Sequence, residues 1–192
     1  RAAAGLILAL VCGGWAVGAQ AQTASVAEDV YLEKGISKVD TKLKVETSST
    51  RTRVSYLKVT VANAGTLKSA KLRLRCDGDG GSGVIRVYAG SHSNWTAAAI
   101  TSSNAPQAQS QIAQLNTSYV IGKDYDFDVS SLINKDGTYT LILKKDASGG
   151  DVAFSSSRGT VAPKVLIEAS GTTPPPANTS VPRINSFTVA PE

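Results

Sequence analysis

Residues 51–76 constrain the fold more than any other stretch. They read RTRVSYLKVTV, a turn through Ala62, Asn63, Ala64 and Gly65, and a second run ending KSAKLRLRC. In the first run Ser55, Leu57, Val59 and Val61 share one side, and Val54, Tyr56, Lys58 and Thr60 the other. In the second, Ala70, Leu72, Leu74 and Cys76 oppose Lys71, Arg73 and Arg75. A period of two over this length specifies half-buried β-strands. The two runs are expected to neighbour each other in one sheet, apolar sets on the core and Lys, Arg and Tyr outward.

The rest of the chain repeats the signal in shorter pieces. Strands are expected at 28–33, 41–46, 84–89, 124–129, 139–144, 152–155 and 164–169. Gly and Asp make 77–83 a turn, and 91–105 is a long polar loop around Trp95. Residues 107–115, rich in Ala and Gln, are ambiguous: their content suits one helical turn, which Asn116, Thr117 and Ser118 would end quickly. Residues 130–134 read as a short helical turn capped by Ser130. The predicted architecture is all-β, a two-sheet antiparallel β-sandwich of jelly-roll-like type, with a closed barrel as the competing arrangement.

The ends carry different information. Residues 1–21 resemble an N-terminally incomplete signal peptide: an apolar run after Arg1, then Ala19-Gln20-Ala21 as a small-x-small cleavage site. The expected location is therefore secreted, extracellular or at the cell surface, with no membrane attachment after cleavage. The sandwich is assigned to 22–170, a Pro/Thr-rich linker to 171–182, and the first strand of a truncated, immunoglobulin-like domain to 183–192. Further domains are thus expected in the same chain, and any catalytic domain among them. After the leader only Cys76 remains, on the apolar side of its strand, so it reads as a core residue. The net charge is +5, or +4 without Arg1. There is no Lys/Arg block and no nucleic-acid motif, so the excess favours an anionic partner other than nucleic acid.

The outward Tyr56, Lys58, Arg73, Arg75, Arg86 and Tyr88 form the candidate site. Aromatic faces stack on sugar rings, and Arg forks grip carboxylates. The same residues equally suit a solvated sheet face, or a second buried layer around Tyr56 and Lys58. Trp95 reads either as a sugar platform or as loop packing. No cofactor is required. Asp77 and Asp79 are the candidate ligands of a structural calcium, although the rest of an EF-hand loop is missing. The carboxylates Glu28, Glu33, Glu46, Asp124 and Asp126 show no spacing that sets two of them across a cleft, so no glycosidase is expected. Arg158, after Phe154-Ser-Ser-Ser, is expected to close the sandwich with a buried or semi-buried ion pair.

Several short pieces, in order, resemble the secreted DNRLRE domain, which overlaps the family 96 carbohydrate-binding modules. They are Ala27-Glu28-Asp29-Val30-Tyr31, Tyr56-Leu57-Lys58-Val59, Ser69-Ala70-Lys71-Leu72-Arg73-Leu74, Asn104-Ala105-Pro106, Asp128-Val129-Ser130-Ser131-Leu132 and Phe154-Ser155-Ser156-Ser157-Arg158. Ser102-Ser103 stand where the family pattern has an aromatic before Asn-Ala-Pro, and Gly159 where it has an acidic residue. The resemblance implies a jelly-roll-like sandwich of secreted, often polysaccharide-degrading, multidomain proteins, some relatives of which bind acidic polysaccharide such as alginate. Together with the outward basic–aromatic face it gives the reading of a non-catalytic module that binds an extracellular, anionic polysaccharide. On that reading the contact residues, taken from the outward strand faces and the 91–105 loop, are Tyr56, Lys58, Arg73, Arg86, Tyr88 and Trp95. A structural or adhesive β-module of a cell-surface protein is the alternative.

Overall fold

The computed structural model describes residues 20–170, Ser148 apart, and these contain eleven strands and no helix. The expected leader, linker and C-terminal strand lie outside the described residues, except that Gln20 and Ala21 pair with Ala169 and Glu168.

The strands are β1 (Gln20–Glu33), β2 (Ile36–Lys38), β3 (Lys42–Thr47), β4 (Thr52–Val61), β5 (Thr66–Arg75), β6 (Gly81–Gly90), β7 (Ala108–Tyr119), β8 (Asp124–Asp128), β9 (Gly137–Lys145), β10 (Val152–Ser155) and β11 (Lys164–Ser170). All pairings are antiparallel, in the order β7-β6-β9-β4-β1-β11-β5-β8. β1 serves two sheets. Its first half pairs with β11, and after a register shift between Val26 and Glu28 its second half pairs with β4. A bulge bends a strand and increases its twist, so β1 turns the corner of the sandwich. The front sheet is β7-β6-β9-β4-β1, and the back sheet is β1-β11-β5-β8. β10 joins β3 and, through a bridge from Phe154 to Cys76, the end of β5.

The core lies between the sheets. Leu57, Val59, Leu141 and Leu143 from the front face Leu72, Leu74, Val165 and Phe127 from the back, all fully or almost fully buried. Each such side chain contributes about 1.5–3 kcal/mol over its exposed state. Cys76 is a free, fully buried member of this core.

Two expectations change here. β4 and β5 are not neighbours, because β4 pairs with β1 and β9, and β5 with β11 and β8. Residues 62–65 cross from one sheet to the other, with Asn63 and Gly65 in the left-handed region. The Asp136 carboxylate holds the crossing by accepting from the Asn63 and Ala64 N–H groups at 2.8 and 3.1 Å. The alternating apolar sets therefore face each other across the core. Second, 107–115 lies largely in strand β7, whose pairing with β6 shifts register twice beside Tyr88. Those irregularities break the alternation that would have marked a strand. At 130–134 the chain makes one turn, but its cap is the Asp128 carboxylate, which accepts from the Ser130 N–H at 3.0 Å and hydroxyl at 2.6 Å.

Candidate functional site

The six expected contact residues do not share one surface. Tyr56, Lys58, Arg86 and Tyr88 are on the front sheet, on the face turned away from the core, and Arg73 is on the back sheet.

Residues 91–107 fold over part of that front face and build a second apolar layer. Tyr56, Trp95, Ile100 and Ile142 pack there with Val30 and Leu32. The Trp95 ring meets Tyr56 edge-on, at 6.3 Å between centroids. Its N–H donates to the Thr140 hydroxyl at 2.9 Å, and that hydroxyl donates to the His92 carbonyl at 2.8 Å. Lys58 donates to the Trp95 carbonyl and lies 5.0 Å over the ring centre, a cation–π contact. Trp95 is only 6% exposed. It is packing rather than a surface platform, and Lys58 locks it in place.

On the back sheet the two outward arginines are matched. Arg73 donates to both oxygens of Asp126 at 2.7 and 2.6 Å, and Arg75 to both of Asp124 at 2.5 and 3.2 Å. Those hydrogen bonds hold the Asp126 carboxyl below the usual carboxylate range. Arg73 is a rung in a cross-strand ion ladder, with its fork already filled.

Asp77 and Asp79 are also committed. Lys42 reaches Asp77 at 2.5 Å and Thr160 donates to it at 2.9 Å, while Lys44 donates to Asp79 at 2.9 Å. The lysine hydrogen bonds lower the pKa of both carboxyls. Calcium takes six to eight oxygen ligands. No three acidic, His or Cys side chains gather for a metal among the described residues, and Asp77 and Asp79 each have a lysine as their charge partner. Arg158 closes the sandwich as expected. It donates to the fully buried Asp29 carboxylate at 2.8 Å, and Ser157 adds its N–H and hydroxyl at 2.5 and 2.8 Å.

What remains open on the front face differs in kind. Arg86 on β6 lies directly opposite Lys144 on β9. Like charges in that position destabilise a sheet. Neither has an ion pair with any described residue. The Lys144 ammonium stands 5.6 Å from the centre of the Tyr88 ring. β7 adds Gln114 opposite Arg86 and Gln111 opposite Tyr88, and the two amides hydrogen-bond at 3.3 Å. Two bare cations, an aromatic ring and two amides make a surface that can take a carboxylate or sulfate and the hydroxyls around it. Sequence reasoning missed Lys144, Gln111 and Gln114. Lys144 shows only once β9 is known to lie beside β6, and the glutamines only once β7 is known to be a strand.

Beside this row lies a hollow of about 470 Å³. Leu32, Val54 and Tyr56 line it from the sheet, and Lys34, the 48–51 turn and Ser102 from the rim.

A search of curated proteins gives no match. The family models give one: residues 20–169, which include every strand described above up to the last residue of β11, match carbohydrate-binding module family 96, and the chain belongs to that family.

Proposed function

We propose that this domain is a non-catalytic module that tethers a secreted, multidomain protein to an acidic extracellular polysaccharide, and that it binds through Arg86, Lys144 and Tyr88. Membership of a carbohydrate-binding family supports the class of ligand. The observation that carries the acidic preference is the bare Arg86–Lys144 pair. A sheet that matches each back-face arginine with an aspartate leaves two cations opposed on the front, against a ring. A uronate carboxylate would supply the missing counter-charge, and the Tyr88 face a surface for the sugar C–H groups. Arg73, Lys58 and Trp95 are set aside as contacts, because each already has its partners.

The test is affinity electrophoresis of the folded chain through alginate, pectate and neutral glucans, with and without calcium. Retardation by the acidic polymers, weakening with salt as screening shortens the reach of the charges, is expected. Arg86→Ala/Lys144→Ala should abolish it. Equal retardation by neutral glucans would overturn the acidic preference. No retardation by any polymer would leave a structural, adhesive module as the reading.

A further inference from the structure

Tyr56 is nine-tenths buried, yet its hydroxyl makes no hydrogen bond with any described residue. A buried phenol ordinarily finds a partner. Trp95, in the same apolar layer, spends its N–H on Thr140. Glu46 Oε2 is the one side-chain oxygen or nitrogen sealed from solvent without a hydrogen bond among the described residues. The Tyr56 hydroxyl is therefore open to solvent, and the residue lines the hollow.

A second anomaly stands at the rim. Lys34 and Gly35 join β1 to β2, with Glu33 paired to Ile36 and both turn residues at positive φ, +51° and +77°. A turn of this kind favours Asn or Gly at its first position, and a lysine is uncommon there. Lys34 is exposed, borders the hollow and forms no ion pair with a described residue. Its neighbour Arg51 is different, because Glu33 and Glu46 share its charge at 3.5 and 3.8 Å.

The register joins these features to the cation pair. Arg86 faces Lys144, Ser55 faces Leu143, and Val54 faces Leu32. Val54 and Lys144 each lie one residue past the last β4–β9 pair, where β3 takes over as the neighbour of β4, so the row from β6 through β9 and β4 to β1 passes the end of that ladder. Three strand spacings make about 14 Å, with Lys34 just beyond.

We infer that the hollow is a second subsite of the same face, and that an acidic polysaccharide lies across the strands from the Arg86–Lys144 pair to Lys34, with a sugar hydroxyl on Tyr56. This rests on the proposed function, and adds that binding depends on chain length. A disaccharide reaches only one end of the row, and a longer oligouronate reaches both.

Calorimetric titration with a uronate disaccharide and a size series of longer oligouronates tests it. Tyr56→Phe removes only the hydroxyl and keeps the apolar layer. Lys34→Asn keeps the turn geometry. The unaltered chain should bind long oligomers more tightly than the disaccharide. The Tyr56→Phe/Lys34→Asn variant should bind long oligomers about tenfold more weakly, the equivalent of roughly one hydrogen bond to a charged or polar group, with disaccharide binding unchanged. Undiminished length dependence in that variant, while Arg86→Ala/Lys144→Ala abolishes binding, would overturn the second subsite and leave the proposed function standing. A folded, unaltered chain that binds no oligouronate of any length would overturn both.

Discussion

The Trp95 indole donates to the Thr140 hydroxyl across 45 residues of sequence, and this bond pins the 91–107 loop to the front sheet. The loop is consequently part of the folded body. Ala97 N–H donates to Glu28 at 3.0 Å, Ser37 donates to the Ala97 carbonyl at 2.6 Å, and Ser102 N–H to the Gly35 carbonyl at 3.1 Å. Trp95→Ala should therefore cost stability, about 3–5 kcal/mol for a large buried aromatic, read from a urea melt. Any loss of polysaccharide binding should follow the unfolded fraction. A Trp95→Ala chain of unchanged stability that no longer bound would reinstate the ring as a contact.

Replacing Lys144 by glutamate sets an opposite charge across from Arg86. Cross-strand pairs of opposite charge contribute about 0.2–1 kcal/mol. The Lys144→Glu chain should be as stable as the unaltered one or more so, and should lose retention on acidic polymers. Stability and binding moving in opposite directions would mark the pair as kept for its ligand. A destabilised Lys144→Glu chain would count against that.

Asp29 and Arg158 should respond unequally. The Asp29 side chain is fully buried, and Arg158 is 42% exposed. Arg158→Ala leaves the carboxylate in the interior with only the donors of Ser157, and a buried charge that loses its counter-ion costs about 3–5 kcal/mol. Asp29→Asn removes the charge along with the pairing, frees the arginine to water, and should cost about 1–3 kcal/mol. Chemical denaturation of both variants measures the difference, and equal costs would refute the buried-charge account.

Acid should weaken the fold in a defined direction. Hydrogen bonds from Arg53, Lys42, Lys44, Arg73 and Ser130 lower the pKa of Glu33, Asp77, Asp79, Asp126 and Asp128 respectively. A depressed folded value means that the unfolded chain takes up protons first. The stabilisation is complete above the ordinary carboxylate range and is lost as pH falls through the lower folded values, from about pH 5 downward. These groups are partly solvated, so each contribution is modest, but all five act in the same direction. The urea midpoint should fall steadily as the solution is acidified. A midpoint independent of pH across that window would contradict the ion pairs.

Much of the fold was legible in the sequence, because alternation is a local property. Leu57, Val59, Leu72, Leu74 and Cys76 declared themselves as core by period alone, and the Ser-Arg after Phe154 pointed to its ion pair. Alternation says which side of a strand is buried, and it does not say which strand lies alongside. That choice belongs to backbone hydrogen bonding between distant segments: Arg73 meets Asp126 across 53 residues, and the 62–65 crossing carries it to the opposite sheet from Tyr56. The candidate site was correspondingly half legible. Arg86 and Tyr88 stood out as an outward cation and ring. Only the tertiary structure set Lys144 beside them, buried Trp95 within its own loop, and put Tyr56 at the wall of a hollow, because burial and charge pairing depend on what packs against a residue as much as on the residue itself.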